Sequence, residues 1–237
     1  MDIQTIRRYK RNYSLLSGIL SNNPILMQGL VLAPAVVAST TLKNGLALCI
    51  CAFVVFLPTL FVVSFIKGKN QIPHFLRMFF YALLSSVFFI PAAFLTKAVF
   101  PSSVDMLGIY MPLLVVNTIV IARAEAVAVR SRPLVAVGDA FFHMIGFAVP
   151  VLLAAGIREY FSSGTLYGVL IDLNSRNLTQ VNLPFVGFIL FGLMAAGAQL
   201  ISQKATPAYR KWVNKRIILK ASAESTAEQQ SRNSEER

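Results

Sequence analysis

Acidic residues are scarce in this sequence, with ten Asp and Glu among 237 residues against 22 Lys and Arg. Charged residues of both signs make up only 14% of the chain, 56% is hydrophobic, and mean hydropathy is +0.64. A water-soluble domain of this length carries about a quarter of its residues as charges. The shortfall excludes an ordinary soluble fold and indicates an integral membrane protein with one membrane domain. Cysteine is almost missing. Cys49 and Cys51 stand two apart in one apolar stretch, and positions i and i+2 point in different directions on a helix. The pair therefore makes neither a disulfide framework nor, alone, a metal site. Also lacking are a Gly-rich phosphate cradle after a strand, a nucleophile–base–acid set and any His/Cys metal spacing.

What charge there is has one sign. The formal net charge is +12, yet it sits in loops and tails without the basic–aromatic interleaving of a nucleic-acid module. Membrane orientation and anionic lipid headgroups account for it, and nucleic acid is set aside as a partner.

Six hydrophobic stretches are legible, at 24–42, 45–66, 75–100, 104–122, 133–156 and 183–202. Each approaches the ~20 residues a helix needs to cross ~30 Å of hydrocarbon. The run 45–66 is apolar on both parities, which argues against the alternating strands of a β-barrel. Lys and Arg concentrate in the N-terminal tail, after the second and fourth stretches, and in the C-terminal tail. Basic residues that alternate sides in this way predict both termini in the cytoplasm. Pro24, Gln28 and Pro34 within the first apolar run speak for a retained span and not a cleaved signal. The expected organisation is a basic cytoplasmic segment over 1–23, a six-span membrane domain over 24–203 and a basic interfacial segment over 204–220. A disordered polar tail follows over 221–237. The connection 157–182 is turn-rich and expected outside the membrane. Within it Asn177-Leu-Thr179 matches a glycosylation triplet that arises often by chance.

Two of the six stretches are interrupted, and at corresponding places. The first reads Asn22-Asn23-Pro24-Ile-Leu-Met-Gln28-Gly29-Leu-Val-Leu-Ala33-Pro34. The second carries Gly108, Pro112 and Asn117-Thr118, and ends in Arg123-Ala-Glu125. Freed backbone groups find no hydrogen bonds in lipid, so such breaks need a reason. Each opens a group of three stretches. The pairing predicts an all-α integral membrane protein of two inverted three-helix repeats, about 24–100 and 104–202, with broken first and fourth spans and the working site at the breaks. Candidate site residues there are Asn23, Pro24, Gly29, Pro34, Pro112, Asn117 and Thr118. Asn22 or Asn23 is suited to cap the turn that Pro24 opens. A lone Asn or Thr in a span also serves as an interhelical hydrogen bond.

Four ionisable residues form a second candidate group, an ion path or an interface. Arg123 and Glu125 close the fourth span, where they also suit a simple interfacial pair. Asp139 and His143 stand four apart on one face of the fifth. They suit either a proton or cation relay, because histidine titrates near neutrality, or a capped helix start with a hydrogen-bonded histidine. Arg158-Glu159 ends the fifth span in the manner of an interface anchor.

The stretches 22–34, 107–126 and 156–168 together resemble the family of Rnf E-type and Nqr D-type membrane proteins, over roughly 12–203. The resemblance implies six spans arranged as an inverted repeat, packed against a sister six-span subunit of opposite topology. It further implies a place in the bacterial inner membrane, within complexes that couple ferredoxin or NADH oxidation to sodium or proton pumping. Family members place one cysteine in each broken span, and with two from the sister subunit these hold an intramembrane iron–sulfur cluster. The matching positions here are Ala33 and Thr118. Cluster ligation depends on thiolates, so this chain is expected to hold no cofactor. Iron–sulfur cluster and flavin belong to partner subunits, and the chain has no self-contained active site. The alternative is a transporter or channel subunit of the same fold that binds a small solute or cation at the broken helices. A purely structural membrane partner is a third reading.

Overall fold

A computed structural model describes residues 23–65, 74–114, 118–130, 133–171 and 179–202. After a turn over 24–28, the chain forms a short helix α1 (Leu32–Ala38), then α2 (Leu42–Val63) and α3 (His74–Val99). A second series follows: α4 (Pro101–Leu107), 3-10 turns at Gly108–Tyr110 and Pro112–Leu114, α5 (Thr118–Ala126), α6 (Pro133–Ser163) and α7 (Pro184–Ser202). Between α6 and α7 lies a two-stranded hairpin, β1 (Thr165–Leu166) and β2 (Val169–Leu170), paired antiparallel. Its turn uses left-handed Tyr167 (φ 58°) and Gly168 (φ 79°), the geometry that matches strand twist in two-residue loops.

Four of these helices are long and apolar enough to cross a membrane: Leu42–Val63, Leu76–Val99, Pro133–Ser163 and Pro184–Ser202. A fifth crossing exists if Pro101–Tyr110 and Pro112–Ala126, which meet at a 60° bend, count as one. Among the described residues the count is thus four crossings, or five with the bent pair. The stretch 24–42 is not a continuous span, because Gly29 (φ 63°) and Val31 (φ 58°) turn the backbone left-handed and leave only the seven residues of α1 helical. The fifth stretch also ends later than its apolar run suggests, since α6 continues to Ser163. Asn117, Asn177, the N-terminal basic segment, the 204–220 segment and the tail lie outside the described residues.

The core lies between α2 and α6. Leu42 meets Glu159, Gly45 meets Ala155 and Phe53 meets Phe141, so the two helices run antiparallel. A Cβ on Gly45 would stand 3.3 Å from that of Ala155, and small residues of this kind are what let membrane helices approach closely. The apolar windows of α2 and α6 are 56% and 50% buried, against 17% for both α3 and α7. The bundle therefore has two central and two peripheral long helices. Cys51 is buried on α2 and Cys49 half-buried, both as free thiols.

Candidate functional site

The first broken segment is pinned to α6 at both ends. Asn23 is buried; its Oδ1 accepts from the Ile25 and Leu26 amides at 3.0 Å each, and so caps the turn that Pro24 opens. Its amide donates to the carbonyl of Gly146 at 2.6 Å. That carbonyl stands four residues before Pro150, which has no N–H to occupy it. The proline that interrupts α6 thereby creates the acceptor that receives the start of the other segment.

At the far end, the wholly buried Arg158 receives the end of α1. Its Nη1 donates to Val36 O at 2.6 Å and to Ser39 Oγ at 2.9 Å. Nε reaches Val181 O at 3.1 Å, and Nη2 reaches Asn182 O at 2.9 Å and Leu183 O at 3.3 Å. The guanidinium thus spends its fork on neutral oxygens at the C-terminus of α1 and the start of α7. A cation suits carbonyls at a helix C-terminus. Glu159, the next residue, does the reverse: Oε2 accepts from the Leu42 amide at 2.7 Å, at the start of α2, and Oε1 accepts from Gly168 N at 2.9 Å in the hairpin. The expected interface anchor is therefore corrected. Arg158 and Glu159 are a buried clasp around the α1–α2 corner, and α7 closes on it at Gly187, where a Cβ would stand 2.7 Å from Val36 Cγ1 and 3.0 Å from Arg158 Nη1.

Twelve residues of α6 separate Gly146 from Arg158, about 18 Å at ~1.5 Å per residue. The segment 23–38 runs alongside that length only, little more than half of the ~30 Å hydrocarbon depth. It is a half-span. The second broken segment is similar in kind: Gly108 has φ 46°, Pro112 opens a 3-10 turn, and Thr118 is the first residue of α5. The 3-10 turn Gly108–Tyr110 lies against α1, so the two breaks meet.

At these breaks Pro24 and Pro34 are buried, whereas Gly29, Ala33, Pro112 and Thr118 are exposed on the chain's surface. Ala33 is the second residue of α1 and Thr118 the first of α5. Both thus lie in the first turn of a short helix and are turned outward. A methyl group and a hydroxyl offer no thiolate. Cys51 does not substitute, because it is buried within the chain and lies against Thr96 of α3. The residues present do not fit a cluster.

The second candidate group comes together at the opposite end of α6. Arg123 of α5 makes a bidentate pair with Asp139 of α6, Nε to Oδ2 at 2.8 Å and Nη2 to Oδ1 at 2.6 Å. His143 Nδ1 lies 2.9 Å from the Asp139 backbone carbonyl and 3.6 Å from its Oδ1. A carbonyl only accepts, so Nδ1 carries the proton and Nε2 holds a free lone pair. Nε2 is buried and has no hydrogen-bond partner. Asp139 and His143 do share a face, as the i,i+4 spacing predicts, but the carboxylate is spent on Arg123.

Glu125 belongs to a separate group: it accepts from Tyr81 Oη at 3.0 Å and faces Arg77 Nε at 3.5 Å, both on α3. Tyr81 and Arg77 escaped the sequence reading because nothing local marks them; an aromatic and a basic residue at the head of a span look like ordinary interfacial residues.

Comparison with known proteins agrees with this architecture. A family described as Rnf-Nqr subunit, membrane protein, matches residues 13–195. The D-type component of a Na(+)-translocating NADH-quinone reductase from Psychromonas ingrahamii is 33% identical over 164 residues, 68% of this chain and 77% of the relative. The E-type component of a proton-translocating ferredoxin:NAD(+) oxidoreductase complex from Clostridium ljungdahlii is 32% identical over 187 residues, covering 78% and 87%. The E-type component of an ion-translocating oxidoreductase complex from Pasteurella multocida is 32% identical over 202 residues, covering 79% and 89%.

Proposed function

The chain belongs to the Rnf-Nqr family of membrane subunits, and we propose that it serves a complex of that kind as a divergent subunit without its own half of an iron–sulfur cluster. It is a multi-pass membrane subunit of an ion-translocating electron transport complex. In this reading it packs against a sister six-span subunit of opposite topology in the bacterial inner membrane, with both termini in the cytoplasm, and flavin and cluster reside in partner subunits. The observation that carries the reading is the placement of Ala33 and Thr118. They begin the two half-helices, face outward where a partner would meet them, and carry no sulfur.

Inverted repeats gain support from the correspondence of α1–α2–α3 with α5–α6–α7. In each series a left-handed glycine precedes a short helix, a central helix with an internal proline follows, and a peripheral helix closes it. No solute transporter or channel is named among the three relatives, so the transporter alternative gains nothing from them.

Purification from the native membrane, followed by iron analysis and low-temperature EPR, tests this. The chain is expected to co-purify with a homologous six-span subunit, and any intramembrane cluster signal is expected to persist when Cys49 and Cys51 are replaced, carried by partner ligands alone. A cluster shown to be ligated by this chain overturns the proposal, as does purification without any homologous subunit.

A further inference from the structure

Among the described residues, His143 Nε2 is a histidine ring nitrogen that is buried with a free lone pair. It sits at a junction: Asp139 lies one turn below on α6, and Gly146, which receives the first broken segment through Asn23, stands three residues above. Among the described residues the surrounding charges are few. α5 contributes Arg123 and Glu125, α6 contributes Asp139, and α3 contributes Arg77 and Tyr81 through the Glu125 group. α1 and α7 carry no charged residue, Asp105 of α4 is exposed, and Lys43 of α2 is at the opposite end, beside the hairpin. Asp139 is the carboxylate beside the imidazole, and Arg123 already holds it.

From this geometry we infer that His143 Nε2 is a proton-binding site whose occupancy controls the Arg123–Asp139 clasp and, through it, the second half-helix. The balance is simple. With the ring neutral, Asp139 and Arg123 cancel. A proton from water adds to the Nε2 lone pair, no other bond breaks, and the site gains one positive charge. The imidazolium then competes with Arg123 for the same carboxylate, Nδ1 being 3.6 Å from Oδ1. Charge-assisted pairs are strong in a low-dielectric interior, and one carboxylate cannot satisfy both cations equally. Arg123 is the partner on a different helix. Its grip is the one that weakens, and α5, which begins at Thr118, is released from α6. Loss of the proton restores the clasp.

The proton site and its moving element deepen the reading of the chain as an ion-translocating subunit and rest on it, and their test is read on the chain alone. A failed co-purification and a failed titration are therefore separate outcomes. The chain contains two histidines, so His74→Gln leaves His143 as the sole source of imidazole signals. In the full-length chain in lipid nanodiscs, nitrogen NMR of labelled histidine is expected to show a neutral ring protonated at Nδ1, converting to imidazolium as the pH is lowered. A second measurement reads the coupling. With Cys49 and Cys51 replaced by alanine, a Thr118→Cys variant is labelled with a water-soluble maleimide. The labelling rate relative to the same variant carrying His143→Gln is expected to rise several-fold across the titration. A ring that stays in one protonation state throughout overturns the proposal. So does a ring that titrates while the ratio of labelling rates stays flat.

Discussion

Arg158 and Arg123 are two arginines of one membrane bundle, each partly or wholly buried, and they are stabilised in opposite ways. Arg158 donates to four carbonyls and a hydroxyl drawn from distant parts of the chain. Arg123 makes its pair with a single carboxylate across two helices. Carbonyl acceptors do not titrate, so the Arg158 end is held whatever the proton supply. A carboxylate beside an unpartnered imidazole nitrogen can be re-partitioned, so the Arg123 end can switch. The contrast teaches that the same side chain serves as an anchor or as a latch according to the chemistry of its acceptors.

The largest effect is expected at the anchor. Arg158→Met removes the guanidinium donor from Val36 O, which keeps Ser39 Oγ, and from the partly buried carbonyls at 181–183; the net loss expected is roughly 3–5 kcal/mol, read as a collapse of thermal stability in detergent. Arg158→Lys is expected to recover little of it, since three donors on a point charge cannot reproduce a five-donor fork. A variant as stable as the parent would mean the clasp carries no stability.

A smaller effect is expected at the latch, and it should be non-additive. Arg123→Gln or Asp139→Asn alone is expected to cost about 2–3 kcal/mol, because each leaves a largely buried charge without its partner. The double variant should cost less than the sum, with a coupling of about 1–2 kcal/mol. Denaturant titration of the four proteins measures it, and strict additivity would show that the two residues do not act as a pair.

The smallest effect sharpens the anchor's packing. Gly187→Ala pushes a methyl toward Val36 and Arg158 and is expected to cost about 1–2 kcal/mol. Gly192→Ala on the same helix meets nothing within 4 Å and should be neutral or slightly stabilising through helix propensity. Equal thermal shifts for the two would place the close contact in doubt.

Much of the helical framework was legible because it rests on local physics. Apolar length marked the long helices, and Gly29, Pro34 and Pro112 marked the breaks through backbone geometry that needs no knowledge of neighbours. A cap from Asn22 or Asn23 followed from their place before Pro24, and Asn23 is the one that supplies it. The break in the first stretch was expected at Gly29 and Pro34, whereas the left-handed Val31 carried no mark in the sequence, because a β-branched residue disfavours that conformation. Arg158 misled because its position at the end of an apolar run is that of an interfacial residue; only the arrival of α1 and α7 around it makes it buried.

From the sequence alone came the membrane class and the paired breaks, and from its family resemblance the matching of Ala33 with Thr118, neither of which carries sulfur. Local backbone preference and hydropathy are properties of neighbouring residues, so the chain carries them in its order. Which acceptor each buried polar group would find was decided by the tertiary structure. Asn23 meets Gly146, Arg158 meets Val36, and Arg123 spans to Asp139 while His143 keeps its lone pair. Desolvated polar groups must take a partner from whatever the packed helices present, and that set exists only once distant segments have been brought side by side.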